Sequence, residues 1–391
     1  MNNQSELVMT QSAAYAPVES ANILVVEDQL EVQQAISMLL ATLGYSVVGA
    51  RSPEEALERV AREQFDLVLL DLNYRRDTTS GAEGLELLSL LRSKGIQAPV
   101  IAMTAWGSIE LAVQAMHGGA CDFLQKPWDN SHLIRLVNQH IAREQQARST
   151  RIRQEMEWQE AAAVHRRLMP RELPQLQGFS IAAISRPLGY IGGDYYDVFS
   201  MGEKVAICIG DVVGKGVPAA LMMSNLQAAV KVTAAHWVDP SDLCHRVNQL
   251  ACSNGASDKF ISFFYAVLDL KTRRLTYCNC GHNPPILKRA NGSIERLHAG
   301  GTLIGLRSGE LFQEALVSLG SGDQLVLFTD GLSEVENAAG EQYGEDRIAQ
   351  GLRMGKICDA EETLDSIMQG VSEHCGGTFT DDATALVLST L

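Results

Sequence analysis

No apolar run in the chain is long enough to cross a bilayer, which takes about 20 consecutive apolar residues, so the sequence offers no transmembrane helix. Residues 1–20 lack the charged-then-apolar pattern of a secretory signal; they are polar and read as a disordered tail. Basic charge is scarce as well. The 32 Lys and Arg stand against 47 Asp and Glu, for a formal net charge of −15. Such a chain repels nucleic-acid phosphates instead of releasing their counterions. No basic helix-turn-helix segment is present either, which sets aside a DNA-binding regulator. The eight cysteines show no zinc-pair spacing: Cys278 and Cys280 are too close, and the others are scattered. They read as reduced thiols of a cytoplasmic protein.

What the chain does have is carboxylate at informative places. Its 391 residues imply two or three domains, and at 46% hydrophobic and 20% charged residues it can bury ordinary cores. In the first half, apolar runs at 23–26, 67–70, 99–103 and 122–124 alternate with amphipathic stretches such as 29–43 and 53–62. That alternation predicts a doubly wound α/β domain with a parallel sheet covered on both faces. Glu27, Asp28, Asp71, Thr104 and Lys126 each fall just after a strand-like run. In such sheets the C-terminal strand ends bind ligands. Three carboxylates meeting there repel one another unless a divalent cation sits among them, and an oxygen-only set suits Mg²⁺. A nearby Lys and a Thr hydroxyl can hold phosphoryl oxygens, which completes the parts for loading phosphate onto an Asp.

The segments ILVVEDQ, LVLLDLN, VIAMTAW and DFLQKPW resemble the receiver domain of two-component response regulators, across residues 21–143. The resemblance implies a flavodoxin-like fold and phosphorylation by a cognate histidine kinase. It implies Asp71 as phosphoacceptor, with Glu27, Asp28, Asp71 and the Asn73 carbonyl on Mg²⁺. Thr104 and Phe123 take the switch positions, Lys126 is the phosphate-sensing lysine, and Lys126–Pro127 a cis peptide. Where receivers commonly carry a short Met-Pro turn after the acceptor, this chain has the longer NYRRDTTSGAEG. Singly, each of these residues reads as an ordinary strand-end turn; their order and spacing carry the resemblance.

Residues 144–172 read as a helical linker in a longer charged helical pattern running from about 134 to 169. Ile141, Ile152, Met156, Ala163 and Leu168 form an intermittent apolar stripe, broken by Arg148 on the seam. Such a helix is either a solvated spacer or the seam of a homodimer, and the frequency of symmetric assemblies favours the dimer. Pro170 and Pro174 are expected to end it.

From residue 173 onward the pattern changes. Strand-like runs at 194–199, 204–210, 260–269, 273–279, 323–329 and 383–389 are interrupted by helical stretches near 217–234, 240–252 and 359–373. This predicts a mainly antiparallel α+β domain. Asp194 in IGGDYYD, Asp211 in CIGDVVGKG, Asp330 in LFTDGL and Asp381–Asp382 in TDDATALVL sit at turns beside strands. Carboxylates without His or Cys partners favour Mg²⁺ or Mn²⁺ over zinc, and a set this rich can hold two cations that drive water against phosphorus. No convincing Cys or Ser nucleophile is present.

These motifs, with GHNPP, GTLIGL and FTDGLSEVENAAGEQYGEDRI, resemble the SpoIIE-type branch of the protein phosphatase 2C (PPM) family, over 173–391. The resemblance implies a β-sandwich flanked by helices, two Mn²⁺ or Mg²⁺ ions, and Asp194, Asp211, Asp330 and Asp381 as the catalytic metal ligands. The Val212 carbonyl contributes where many relatives have Gly, and Asp382 and Asp197 are secondary candidates. It implies a phosphoserine or phosphothreonine protein as substrate, by analogy a STAS-type anti-sigma factor antagonist. The alternative is a non-catalytic adaptor that binds a sigma-factor regulator, from which metal carboxylates should be missing; here all are present. GHNPP reads as a strand-entry turn.

Overall fold

The computed structural model describes residues 21–74, 81–104, 109–236, 239–253, 259–354 and 359–391. The tail expected at 1–20 and the centre of the long loop after Asp71, residues 75–80, lie outside them. The chain divides into two compact units, 1–155 and 156–391.

The first unit runs β1 (Asn22–Val26), α1 (Leu30–Thr42), β2 (Ser46–Ala50), α2 (Pro53–Arg62), β3 (Leu67–Asp71), α3 (Ala82–Ser93), β4 (Val100–Thr104), α4 (Ile109–His117), β5 (Asp122–Gln125) and the start of α5 (Asn130–Arg166). Its five strands are all parallel, in the order β2-β1-β3-β4-β5. β3 and β4 are buried at every residue, as a sheet covered on both faces requires. One face packs Leu24, Val26, Val68 and Leu70 against α3 and α4. The other packs Ile23, Val25, Leu67 and Leu69 against α1 and the start of α5. The strand order reverses between β1 and β3, and it is at that crevice that ligands bind in such folds. Local chemistry sets the helix ends: Ser52 caps α2 by accepting the Glu55 N–H, and Pro53 opens its first turn.

The second unit contains the end of α5, then β6 (Phe179–Arg186), β7 (Tyr195–Met201), β8 (Lys204–Val212), α6 (Val217–Ala234), α7 (Pro240–Ser253), β9 (Ile261–Asp269), β10 (Arg274–Cys280), β11 (Ile286–Lys288), β12 (Ile294–Arg296), β13 (Gly300–Gly301), β14 (Ala315–Ser318), β15 (Gln324–Phe328), α8 (Asp330–Ser333), α9 (Glu345–Met354), α10 (Ala360–Cys375) and β16 (Ala383–Thr390). Two largely antiparallel sheets result. One has the order β13-β10-β9-β8-β7, with β14 also on β10; the other is β12-β11-β15-β16-β6. Strand alternation builds three layers of core. Ile207, Ile209 and Phe264 meet Leu325, Leu327, Leu386 and Leu388 between the sheets. Tyr195, Cys208, Phe263 and Tyr265 point the other way, onto α6 and α7. Val326, Phe328, Ala385 and Val387 pack under α9 and α10. The domain is the expected helix-flanked sandwich.

α5 is one unbroken helix of 37 residues, and the division between units falls within it. It stops at Arg166, short of Pro170. The Arg167 and Leu168 N–H groups close a turn on the Val164 and His165 carbonyls, while Leu168 and Met169 pack into the second unit's core. Pro170 bears on this stop from four residues away, since its ring bars Met169 from helical geometry and crowds the Arg166 carbonyl. No helix among the described residues is long and apolar enough to cross a membrane.

Candidate functional site

In the first unit the sheet brings Glu27, Asp28 and Asp71 together, with carboxylate oxygens all within 4.8 Å of one another. Glu27 and Asp28 follow β1, Asp71 ends β3, Thr104 ends β4 and Lys126 follows β5, so one sheet edge carries them all. Lys126 Nζ donates to Asp71 Oδ2 at 2.9 Å and to Glu27 Oε2 at 2.5 Å. The Asn73 N–H donates to Asp71 Oδ1 at 3.2 Å, and Asn73 Nδ2 to Thr104 Oγ1 at 3.0 Å. Phe123 is half-buried and packs against the α3–α4 side of the core. The Lys126–Pro127 peptide is cis.

Three buried carboxylates face one ammonium. Burial, then the Asp71 charge, pushes Glu27 up to about 7. Burial also raises Asp71, against the pull of Lys126. Burial alone would lower Lys126, but Asp71 and Glu27 more than offset it and hold it charged. The unbalanced negative charge and the all-oxygen donor set fit a hard divalent cation. The Asn73 Oδ1 and Tyr74 hydroxyl oxygens are buried beside it without hydrogen-bond partners among the described residues.

In the second unit the carboxylates come from both sheets at one end of the sandwich. Asp194 lies just before β7 and Asp211 near the end of β8; the pairing of Tyr195 with Gly210 makes them neighbours. Asp330 follows β15 and Asp381 precedes β16; the pairing of Phe328 with Ala385 does the same there. Two hydrogen-bonded seams tie the pairs together. Thr329 Oγ1 donates to Asp194 Oδ2 at 2.8 Å and accepts the Thr384 N–H at 3.0 Å. Asp382 accepts the Gly193 N–H on one oxygen and the Leu188 N–H on the other, both at 2.7 Å. The two glycines before Asp194 are closely packed, Gly192 the more tightly. A Cβ on Gly192 would lie 2.5 Å from Asp382 Oδ2, and one on Gly193 would lie 3.1 Å from the Val212 carbonyl.

Mutual repulsion marks the cluster. Burial first, then Asp211, raises Asp194 well above the carboxylate range. Burial, then Asp330, brings Asp211 to about 7. Burial, then Glu334 and Asp381, raises Asp330. The single nearby cation among these contacts, Lys215, bridges Asp381 Oδ2 at 2.8 Å and the Thr380 carbonyl at 2.7 Å. Asp194 Oδ1 is buried with no hydrogen-bond partner among the described residues, a carboxylate oxygen placed for a metal ion. Among the described residues, no three of these side chains offer oxygens all within 4.8 Å of one another.

Of the two secondary sequence candidates, the structure places Asp197 away from the cluster and Asp382 beside it. Asp197 is on the opposite face of the sheet. It pairs across to Cys208 on the α6 side, and its carboxylate is taken by Lys231 Nζ at 2.7 Å and the Tyr195 hydroxyl at 2.9 Å. Asp382 braces the Gly193 loop by accepting two backbone N–H groups, those of Gly193 and Leu188. Lys215, Thr329 and Glu334 were not singled out by the sequence. Lys215 lies in the same GDVVGKG run as Asp211 and Thr329 directly precedes Asp330, and that adjacency is the only signal that could have found them.

Comparison with known proteins follows the two units. The family profile described as response regulator receiver domain matches residues 23–138. The profile described as Stage II sporulation protein E (SpoIIE) matches residues 201–391. Phosphoserine phosphatase RsbU of Bacillus subtilis is 30% identical over 230 residues, covering 58% of this chain and 68% of RsbU. Protein IcfG of Synechocystis sp. is 27% identical over 263 residues, 60% of this chain but only 41% of IcfG. Among solved structures, the SiaA-PP2C domain of Pseudomonas aeruginosa superposes with a TM-score of 0.56 at 22% identity, covering 61% of this chain and 98% of that domain, a likeness of fold.

Proposed function

The chain belongs to the SpoIIE family of PP2C-type phosphatases, with a response regulator receiver ahead of the phosphatase domain, and from that membership we propose that its output is metal-dependent removal of phosphate from phosphoserine or phosphothreonine in a partner protein, controlled by phosphorylation of Asp71. The observation that carries the reading is the gathering of Asp194, Asp211, Asp330 and Asp381 from both sheets at one end of the sandwich, with Asp194 Oδ1 buried and unpaired. These four, with the Val212 carbonyl, would hold two Mn²⁺ or Mg²⁺ ions. Bound there, the ions supply an activated water and neutralise charge on the phosphoryl oxygens. Thr329 fixes one Asp194 oxygen and leaves the other open. Asp382 locks the Gly193 turn that aims Asp194. Lys215, half-exposed at the rim, is placed to meet an incoming phosphate oxygen. Water adds to phosphorus as the P–O bond to the side chain breaks; the seryl oxygen leaves with a proton, and inorganic phosphate is released.

In the receiver, the same reading has Glu27, Asp28, Asp71 and the Asn73 carbonyl hold Mg²⁺ while Asp71 takes the phosphoryl group from a histidine kinase. Lys126 and Thr104 then bind its oxygens, and Phe123 follows Thr104. Contacts at the end of α5 support a route to the phosphatase. Trp158 stacks on Tyr190 with ring centroids 6.1 Å apart, Ala162 packs with Ile191 and Ala220, and His165 Nε2 lies 3.0 Å from the Gly192 carbonyl, two residues before Asp194. The exposed Ile152 and Met156 on the same helix support a homodimer seam. A STAS-type anti-sigma factor antagonist is the substrate class we favour, by kinship with RsbU, and the cytoplasm is where kinase and substrate would meet it.

The test is Mn²⁺-dependent phosphate release from such a phosphoprotein. Asp211→Asn should reduce it at least about 100-fold, in keeping with loss of a group acting on the transition state. Release by the variant at the wild-type rate refutes the metal mechanism. A chain that takes up no divalent cation in calorimetry restores the adaptor alternative. Beryllofluoride on Asp71 should change the rate; equal rates with and without it refute coupling.

A further inference from the structure

We infer that Ser262 and His282 form a hydroxyl–imidazole pair that fixes a hydrogen-bond acceptor beside Asp211, positioning the water that attacks phosphorus. The inference rests on the phosphatase reading and adds two residues to it. It also gives the GHNPP run, residues 281–285, work beyond that of a turn.

Ser262 lies directly across from Asp211 in the pairing of β8 with β9. Directly opposed residues project from the same face, with Cβ atoms about 5 Å apart. That face is the inner one, where Ile209 and Phe264 continue the row into the core. The Ser262 hydroxyl is therefore the neighbour of the Asp211 carboxylate at the open end of the sandwich. His282 follows β10 and is 4% exposed. Its Nδ1 lies 2.8 Å from Ser262 Oγ. Asn279 clamps the histidine backbone from both sides: Oδ1 accepts the His282 N–H at 2.8 Å, and Nδ2 donates to the His282 carbonyl at 3.1 Å. A second bond from Nδ2, to the Leu297 carbonyl at 3.1 Å, anchors Asn279 itself.

The direction of the proton follows from the surroundings. Burial pushes His282 down to about 4, and the Phe328 carbonyl restores only part of that, so the ring is neutral and carries one N–H. Nε2 is buried and makes no hydrogen bond of ordinary geometry among the described residues. The Phe328 carbonyl near the ring can only accept, and Nδ1 already faces a hydroxyl able to donate, so we assign the ring proton to Nε2. Nδ1 is left as an acceptor, and Ser262 must donate its one proton to it. The remaining lone pairs of Ser262 Oγ then face the carboxylate cluster. They can accept from a water held there and cannot donate to Asp211. A freely rotating hydroxyl would instead donate to Asp211 and compete for the oxygens that a cation needs. A purely structural pair would tie the 281–285 turn to the sheet and affect neither.

The experiment uses the full-length protein with para-nitrophenyl phosphate and Mn²⁺, alongside ¹⁵N-imidazole spectra of the metal-free protein. Ser262→Ala should lower kcat about tenfold through loss of water orientation, with KM and thermal midpoint little changed; Ser262→Thr should recover most of the rate. His282→Asn keeps an acceptor near the Nδ1 position and should also recover. His282→Leu frees the hydroxyl, so its Mn²⁺ requirement should shift to higher concentration as kcat falls. In the metal-free wild type, His282 Nδ1 should give the shift of an unprotonated nitrogen and move in Ser262→Ala. A protonated Nδ1, or a Ser262→Ala kcat within twofold of wild type, overturns the inference. If the wild type releases no phosphate with Mn²⁺, the phosphatase reading fails, and the spectra still decide the pair.

Discussion

Raising the pH from about 5 to about 8 without divalent cations should destabilise the receiver, and Mg²⁺ should cancel most of the loss. Burial, with Asp71 adding to it, carries Glu27 from 4.5 up to about 7 in the folded protein. The unfolded chain keeps the ordinary value. Between the two values the folded receiver binds a proton that the unfolded chain has released, so stability is full below the lower value and falls as pH rises through the upper one. A shift of about two and a half units at about 1.4 kcal/mol each gives about 3 kcal/mol. Asp71, also raised by burial, works in the same direction, and Lys126 moderates both. In a domain of this size that is about 10 °C in the unfolding midpoint.

Mg²⁺ binds the deprotonated carboxylates, so its stabilising effect should grow across the same pH range. The assay is scanning calorimetry of the full chain, following the receiver transition in EDTA and in saturating Mg²⁺ at both ends of the range. Glu27→Gln removes the titrating group and should flatten the EDTA profile. A receiver transition that holds steady or rises with pH in EDTA refutes the reasoning. So does a Glu27→Gln profile as steep as wild type.

Gly192→Ala would drive a methyl to 2.5 Å from Asp382 Oδ2; it should cost about 1–3 kcal/mol as overpacking and weaken Mn²⁺ binding by calorimetry. Thr329→Val removes the donor to Asp194 and strands the Thr384 N–H; it should cost about 2 kcal/mol in chemical denaturation and raise the Mn²⁺ concentration needed for half-maximal rate. Asp197→Asn should lower the unfolding midpoint through loss of the Lys231 pair while leaving the Mn²⁺ dependence alone, and Asp194→Asn should abolish Mn²⁺-dependent activity. Met156→Glu should shift the sedimentation coefficient toward monomer if α5 is a dimer seam; an unchanged coefficient counts against it.

The receiver was legible because its chemistry follows its strands in sequence. A buried parallel strand is an apolar run, and its ligand-binding end is the next polar residue, so Glu27, Asp71, Thr104 and Lys126 could be read directly. β2 (Ser46–Ala50) escaped notice because its residues are small and mostly only half-buried, leaving no continuous apolar signal. β11, with three residues, is too short to show a period.

The phosphatase carboxylates were legible for a different reason, their places at glycine-flanked turns, and that signal has a blind spot at Asp197. Asp194 and Asp197 share one motif, and side chains alternate along a strand. Asp197 points with Tyr195 toward α6, while the site lies on the far side with Asp211. Strand parity could have excluded Asp197 from the sequence alone, given that 195–201 forms one strand. Parity could not supply the rest. Thr329 reaches Asp194 across 135 residues, and Asp382 reaches Leu188 across 194. Thr329 and Asp194 meet where one sheet lies on the other, Asp382 and Leu188 just beyond the paired ends of β16 and β6, and no local period encodes either arrangement. Ser262 and His282 belong to that class: one occupies an unremarkable strand position and the other a turn, and their meaning arises only where the β8–β9 register sets the serine opposite Asp211. A site at the end of a sandwich is therefore half written in its turns and half in the pairing of its strands and the stacking of its sheets, and residues that orient the reacting groups are drawn from the second half.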